Sequence, residues 1–187
     1  MPHEPLEVSQ RFRGKSEGGL YGDVIECIDW STGQVLDCVR ELGLENDTYV
    51  VFTSDNGPKK GHGSNGPFRG HKHSGYEGGF RVPCVMWAPG RIPAGTTCAE
   101  LTTIMDLYPT CAKLAGAGIP TDRVIDGKDI GPLLHGAVGA TTPHETFYYF
   151  VRHGELAGVR VGKWKLLIEV KAGPWSHEGR ALHDLEA

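Results

Sequence analysis

The chain has 187 residues, 39% of them apolar and 22% charged, with a formal net charge of −4. This is globular composition, long enough for one ordinary domain or one and a fraction, and no basic stripe calls for a nucleic-acid partner. No apolar run approaches the ~20 residues that span a bilayer, and residues 1–5 have neither the basic start nor the apolar stretch of a signal peptide.

Residues 1–19 are polar and rich in glycine, proline and charge, and read as an extended lead-in with no core of its own. From Leu20 the apolar positions Val24, Ile25, Ile28, Val35, Leu36, Val39 and Leu42 fall at helical spacing, with Gly43 as the stop. Asn46 and Asp47 turn the chain into a strand over 48–53, continuous in apolar residues as expected when helices cover both faces. Residues 57–80 carry no periodic pattern, and a loop of that length in a compact domain is usually functional or disordered. A second strand over 82–87 ends at Pro89-Gly90. A helix comes next over 101–115 with Gly116 after it, then a short helix over 129–134. Past residue 143 the texture changes to strands at 147–151, 156–161 and 164–170. This order predicts an α/β layer followed by a small antiparallel sheet. The end, residues 182–187, shows no terminal cap, and no internal repeat is present.

The chemistry concentrates where the first strand ends, at Ser54-Asp55-Asn56-Gly57. Ligands of open α/β sheets collect beyond the carboxyl ends of strands, and Asp55 with Asn56 offers two oxygens suited to a hard divalent cation. Asp-Asn-Gly is also good turn chemistry, but it leads into a long cationic loop and not into a hairpin partner. That loop holds His62, Arg69, His71, Lys72, His73 and Arg81, groups suited to an oxyanion. Lys72 lies between Gly70 and Gly75, whose lack of side chains permits close approach to a ligand, and its ammonium can hold an anionic ester or its leaving oxygen. An isolated loop lysine is otherwise solvated. The three histidines could instead form a zinc site, although none has the i, i+4 helical spacing of a zincin. Glu77 and Arg81 can pair and brace the loop. The five cysteines have no Cys-x-x-Cys spacing. Cys27 and Cys38 on one helix would lie ~16 Å apart, too far for a disulfide, and burial as small apolar groups is expected for most of the five.

With these residues in view, the sequence resembles the type I sulfatases of the alkaline phosphatase-like superfamily, closest to arylsulfatase A-like and N-acetylgalactosamine-6-sulfatase-like enzymes. The resemblance runs through Pro2-His3-x-Pro5, Tyr21-Gly22-Asp23-x-Ile25, Phe52-Thr53-Ser54-Asp55-Asn56-Gly57 and Gly66-Pro67-Phe68-Arg69-Gly70. It continues through Tyr76-Glu77-Gly78-Gly79-x-Arg81-x-Pro83, Met105-Asp106-Leu107-x-Pro109-Thr110, Asp126-Gly127 and Val161-Gly162-Lys163-Trp164-Lys165. It implies an alkaline phosphatase-like sandwich, a mixed sheet flanked by helices, with its C-terminal part at residues 1–142 and the start of a small antiparallel subdomain at 143–187. It further implies hydrolysis of sulfate monoesters, of a sulfated small molecule, glycan or lipid. Asp55 and Asn56 would ligate Ca2+ or Mg2+, and Lys72 and His3 would contact the sulfate and the leaving-group oxygen. Relatives are commonly lysosomal, periplasmic or secreted, and the sequence itself assigns no compartment.

The family's nucleophile is a formylglycine matured from a cysteine in Cys-x-Pro-x-Arg, and none of Cys27, Cys38, Cys84, Cys98 or Cys111 is followed by that pattern. The paired aspartates that complete the family's metal shell are also missing. The chain is therefore expected to be the C-terminal part of a sulfatase, binding metal weakly and inactive alone. Its open sheet edge and bare apolar helix face are expected to promote self-association. A phosphate or phosphonate ester hydrolase of the same superfamily, and a non-catalytic anion-binding remnant, stand as alternatives.

Overall fold

The computed structural model describes residues 2–151, 154–168 and 179–186. Two compact units emerge, one from Met1–Lys72 with Tyr76–Ala88, the other from His73–Gly75 with Pro89–Ala187.

The first unit is built on helix α1 (Gly19–Glu41) and two strands, β1 (Val50–Thr53) and β2 (Cys84–Trp87). Helix α1 ends as its sequence requires: Gly43 takes φ +65°, and Leu44 N–H donates to Val39 O at 2.9 Å, closing a Schellman turn. A 3-10 turn over Glu45–Asp47 then delivers the chain to β1. The lead-in is more than extended chain. The Asp23 carboxylate, buried at 2% exposure, accepts the backbone N–H groups of Gly14 (2.7 Å), Lys15 (3.0 Å) and Ser16 (2.8 Å). Arg11 stacks over the Trp30 ring at 4.2 Å, which seats the lead-in on α1.

Strand β1 does pair, antiparallel with β2, in a register running from Val50 opposite Trp87 to Thr53 opposite Cys84. The long loop between them thus returns to a partner strand that the local sequence after Asp55-Asn56 does not announce. Nor are both faces covered: Phe52 is 39% and Val85 62% exposed. Two four-residue strands form too small a sheet to bury their own side chains, so a continuous apolar run need not mean double burial here. The cysteines also depart from expectation. Cys38, Cys84, Cys98 and Cys111 are exposed, Cys27 is half-buried, and all five are free.

The second unit opens with a 3-10 turn over Ile104–Asp106, which continues as α3 (Leu107–Leu114). The helix starts later than its apolar spacing suggests because Thr103 is extended and its N–H donates to the Asp106 carboxylate at 2.7 Å. Gly116 (φ +68°) ends α3, with Ala117 N–H donating to Ala112 O at 2.8 Å. After α4 (Gly131–Leu134) the chain enters an antiparallel meander of β3 (Thr146–Phe150), β4 (Leu156–Val161), β5 (Trp164–Leu167) and β6 (Ala181–Asp184). Gly162 (φ +53°) leads the two-residue turn between β4 and β5, the place a type II′ hairpin needs glycine. Burial alternates along β5, with Lys165 and Leu167 inside. The Lys165 ammonium sits 3.5 Å from the Tyr149 ring centre. Strand β6 is not expected from the sequence; it pairs with β5 and is pinned by a 2.8 Å Lys163–Asp184 ion pair. Residues 169 and 170 of the expected third strand lie outside the described residues. Mixed helices and antiparallel sheets agree with a piece of the alkaline phosphatase-like fold. Among the described residues no helix is long and apolar enough to cross a membrane.

Candidate functional site

Strand β1 ends in a locked corner. Ser54 is buried and its hydroxyl donates to Asn56 O at 3.0 Å, while Thr53 donates across to Pro83 O at 3.1 Å. Gly57 N–H donates to Gly79 O at 3.0 Å, and a Cβ on Gly57 would lie 1.8 Å from Gly78 O. Only glycine fits there. The contact fixes the direction in which the chain leaves Asp55 and Asn56.

The loop beyond this corner is ordered by its own backbone and not by periodic packing, which is why its sequence shows no pattern. Gly78 N–H donates to Arg69 O at 2.8 Å, and Lys72 N–H donates to Pro58 O at 2.8 Å. The Asn65 amide donates to Gly70 O. Arg69 stacks over Tyr76 at 4.2 Å and Arg81 over Phe68 at 4.7 Å. Near its end the loop forms a single helical turn, α2 (Glu77–Phe80), where Arg81 N–H donates to Glu77 O at 2.7 Å.

Pro58 and Lys59 tie down the segments that carry Lys72 and His3. Pro58 O holds the backbone of Lys72, and the Lys59 ammonium pairs with the Glu4 carboxylate, next to His3. His62 Nε2 lies 3.6 Å from the other Glu4 oxygen, and its Nδ1 is buried with no hydrogen-bond partner among the described residues. The Glu4 carboxyl is held below its ordinary value, first by the Lys59 hydrogen bond and then by Lys59's charge. The segments that carry Lys72 and His3 are thus tied to Pro58 and Lys59, the residues that follow Asp55-Asn56-Gly57, and all lie in the first unit. His73 takes left-handed φ +78° and groups with the second unit.

Asp55 is exposed and Asn56 and Lys72 are half-buried. Among the described residues, no hydrogen bond or ion pair engages the side chains of Asp55, Asn56 or Lys72. His3 is exposed, and its Nδ1 lies 2.9 Å from Glu4 O. A carbonyl only accepts, so Nδ1 carries the proton and Nε2 presents the lone pair in the neutral ring. The side chains of Asp55, Asn56 and Lys72 are thus left open on segments of the first unit, and His3 has a free ring nitrogen.

By donor type the pair fits calcium or magnesium, but such shells need about six to eight oxygens. Among the described residues no group of three or more His, Cys, Asp or Glu is placed to hold a metal ion. Two side-chain oxygens do not by themselves make such a shell. The same finding leaves the three-histidine zinc arrangement unassembled.

Sequence patterns alone do not single out Asp23 and Asp106 as buried struts. Asp106 has a local signal, since Thr103-x-x-Asp106 follows the capping-box pattern. The Glu4–Lys59 pair spans 55 residues and leaves no local trace.

Residues 1–117 match the sulfatase family model, and residues 68–176 match the model described as N-sulphoglucosamine sulphohydrolase, C-terminal. The chain is 44% identical to N-acetylgalactosamine-6-sulfatase of Canis lupus familiaris over 87% of its length and 31% of that protein's. It is 46% identical to steryl-sulfatase of Homo sapiens over 79% of its length and 27% of that protein's. It thus spans less than a third of either relative. Among solved structures, one from work on glycosaminoglycan metabolism by Bacteroides thetaiotaomicron superposes with TM-score 0.85 at 28% identity, covering 98% of this chain and 42% of that one. Another, Ps i-CgsB in complex with a neocarrahexaose, superposes with TM-score 0.83 at 29% identity, covering 99% of this chain and 42% of that one.

Proposed function

The chain belongs to the sulfatase family, and from that premise we propose that it carries the sulfate-holding half of a metal-dependent sulfate monoester hydrolase. The observation that carries this reading is that the side chains of Asp55, Asn56 and Lys72 are unengaged among the described residues, while Pro58 O holds the Lys72 backbone and Lys59 pairs with Glu4, the neighbour of His3.

In this reading Asp55 and Asn56 give two oxygens to a Ca2+ or Mg2+ ion whose other ligands lie outside the pair. Bound there, the cation would neutralise charge on the sulfate oxygens. Lys72 holds a non-bridging or leaving oxygen by its ammonium, and its backbone anchor at Pro58 fixes where that charge can reach. His3, with Nδ1–H tied to Glu4 O, directs Nε2 at the ester and, when protonated, can give its proton to the departing alkoxide. The buried corner at Ser54 and Gly57 holds the two oxygens in place. These 187 residues contain no Cys-x-Pro-x-Arg, so the nucleophile that attacks sulfur is absent from them, and alone they hydrolyse no sulfate ester.

The neocarrahexaose bound by one structural neighbour and the names of the relatives favour a sulfated saccharide or sterol-like ester as the substrate class. Exposed apolar groups on α1 and the two strands, Val35 at 58% and Val85 at 62% among them, favour self-association of the isolated chain. The test is release of 4-nitrophenol from 4-nitrophenyl sulfate by the pure chain with Ca2+ present. No turnover above the Lys72→Ala background is expected. Turnover that disappears in Lys72→Ala would show a complete site and overturn the half-site reading.

A further inference from the structure

The second unit contains a cleft of about 490 Å3 that the sulfate chemistry does not use. Its size falls in the range of small-molecule sites, roughly 300–1,000 Å3. One wall is α3, with the buried Pro109 and the exposed Lys113; the segment after the helix adds Ile119 and Arg123, and the far wall is the turn ending in Lys128 and Asp129.

The far wall is rigid. Lys128 N–H donates to the buried Asp106 carboxylate at 2.8 Å, and Ile130 N–H donates to the buried Thr110 hydroxyl at 3.0 Å. Beside them a Cβ on Gly127 would lie 2.1 Å from Met105 O, so this turn cannot shift toward the 3-10 turn beneath it. Across the cleft the Lys113 ammonium meets the Asp129 carboxylate at 2.6 Å, and Gly131 N–H donates to the same carboxylate at 2.9 Å. Burial opposes the charge on Asp129, but these two donors hold its carboxyl below the ordinary value, so it neutralises Lys113 at neutral pH. Lys128 remains as the unpaired positive charge on the lining among the described residues, while the Arg123 guanidinium is paired with the exposed Asp122 carboxylate.

We infer that this cleft is a binding site for a small amphipathic anion, an aryl or alkyl body seated against Pro109 and Ile119 with its anionic group at Lys128 and Arg123. A saccharide fits less well, because no aromatic ring lines the cleft for a sugar face to stack on. Of the three cations on the lining, Lys113 and Arg123 are paired with Asp129 and Asp122 and Lys128 is unpaired among the described residues, which favours an anion over a neutral ligand of the same body. This inference is independent of the sulfate half-site.

The test uses the whole chain, 15N-labelled and titrated with 2-naphthalenesulfonate, with 2-naphthol and a sulfated disaccharide as controls. Saturable amide shifts at Ala117, Gly118, Gly127 and Lys128 are expected. The double charge reversal Arg123→Glu with Lys128→Glu should weaken binding about tenfold. For dilute or self-associating samples, lysine acetylation read by mass spectrometry is the second measurement: the sulfonate should slow modification of Lys128 relative to exposed Lys60. Equal binding of naphthol, preference for the disaccharide, an unchanged affinity after charge reversal, or uniform protection of all lysines would each overturn the assignment.

Discussion

Two carboxylates mark the contrast between the halves of this molecule. Asp106, in the second unit, is fully buried and accepts Thr103 N–H, Lys128 N–H and the His144 Nε2–H at 2.8 Å. Asp55, at the tip of β1, is exposed and engages nothing among the described residues. The same functional group serves as an internal strut in one place and stands open to solvent in the other, and the difference lies in what surrounds it. A buried charge must be surrounded by donors, because leaving it unsatisfied costs several kcal/mol. A charge left open at the end of a locked corner is available to something that is not protein. The distinction separates residues that make the fold from those that make the site.

The sharpest way to break this comparison is to delete each carboxylate. Asp106→Ala should lower unfolding stability by about 3 kcal/mol or more, since it orphans His144 and two backbone N–H groups. Urea denaturation of the purified chain reads this, and a loss under about 1 kcal/mol would mean that the strut is ornamental. Gly57→Ala comes next. Its methyl would collide with Gly78 O, so a loss of about 1–3 kcal/mol is expected together with a displaced Asp55. A neutral outcome would show that the corner is not locked.

Asp23 offers a third strut and a pH signature. Hydrogen bonds from Ser16, Gly14 and Lys15 outweigh burial and lower its carboxyl in the folded chain. A depressed folded value means that its contribution is complete above the unfolded value of about 3.9 and is lost as pH falls through the folded one. Melting temperature should therefore fall below about pH 4, and Asp23→Asn should flatten that part of the curve. The smallest stability effect belongs to the site itself: Asp55→Ala and Lys72→Ala should each stay within about 0.5 kcal/mol of the parent chain. A large loss at either would move it from the site to the scaffold.

Helices and strands are legible in the sequence where periodicity and stop signals coincide, as in α1 with Gly43 and α3 with Gly116. Asp55 and Asn56 are legible because a strand ends there, and Lys72 because glycines flank it. The pairing of β1 with β2 is not, since thirty residues separate Thr53 from Pro83 and register across such a loop leaves no local pattern. The ordering of the loop is hidden for the same reason: main-chain bonds such as Lys72 N–H to Pro58 O depend on no side-chain identity. Likewise β6 is hidden, because four residues at a chain end carry too little alternation to separate strand from coil.

The central claim is that Lys72 and His3, beside Asp55 and Asn56, hold sulfate. It is tested most directly by titrating the chain with sulfate in the presence of Ca2+ while following the His3 imidazole and the Lys72 amide by NMR. The account predicts saturable shifts at both residues that are lost together in Lys72→Ala, with the fold intact. Shifts at neither residue, or shifts that survive Lys72→Ala unchanged, would contradict it.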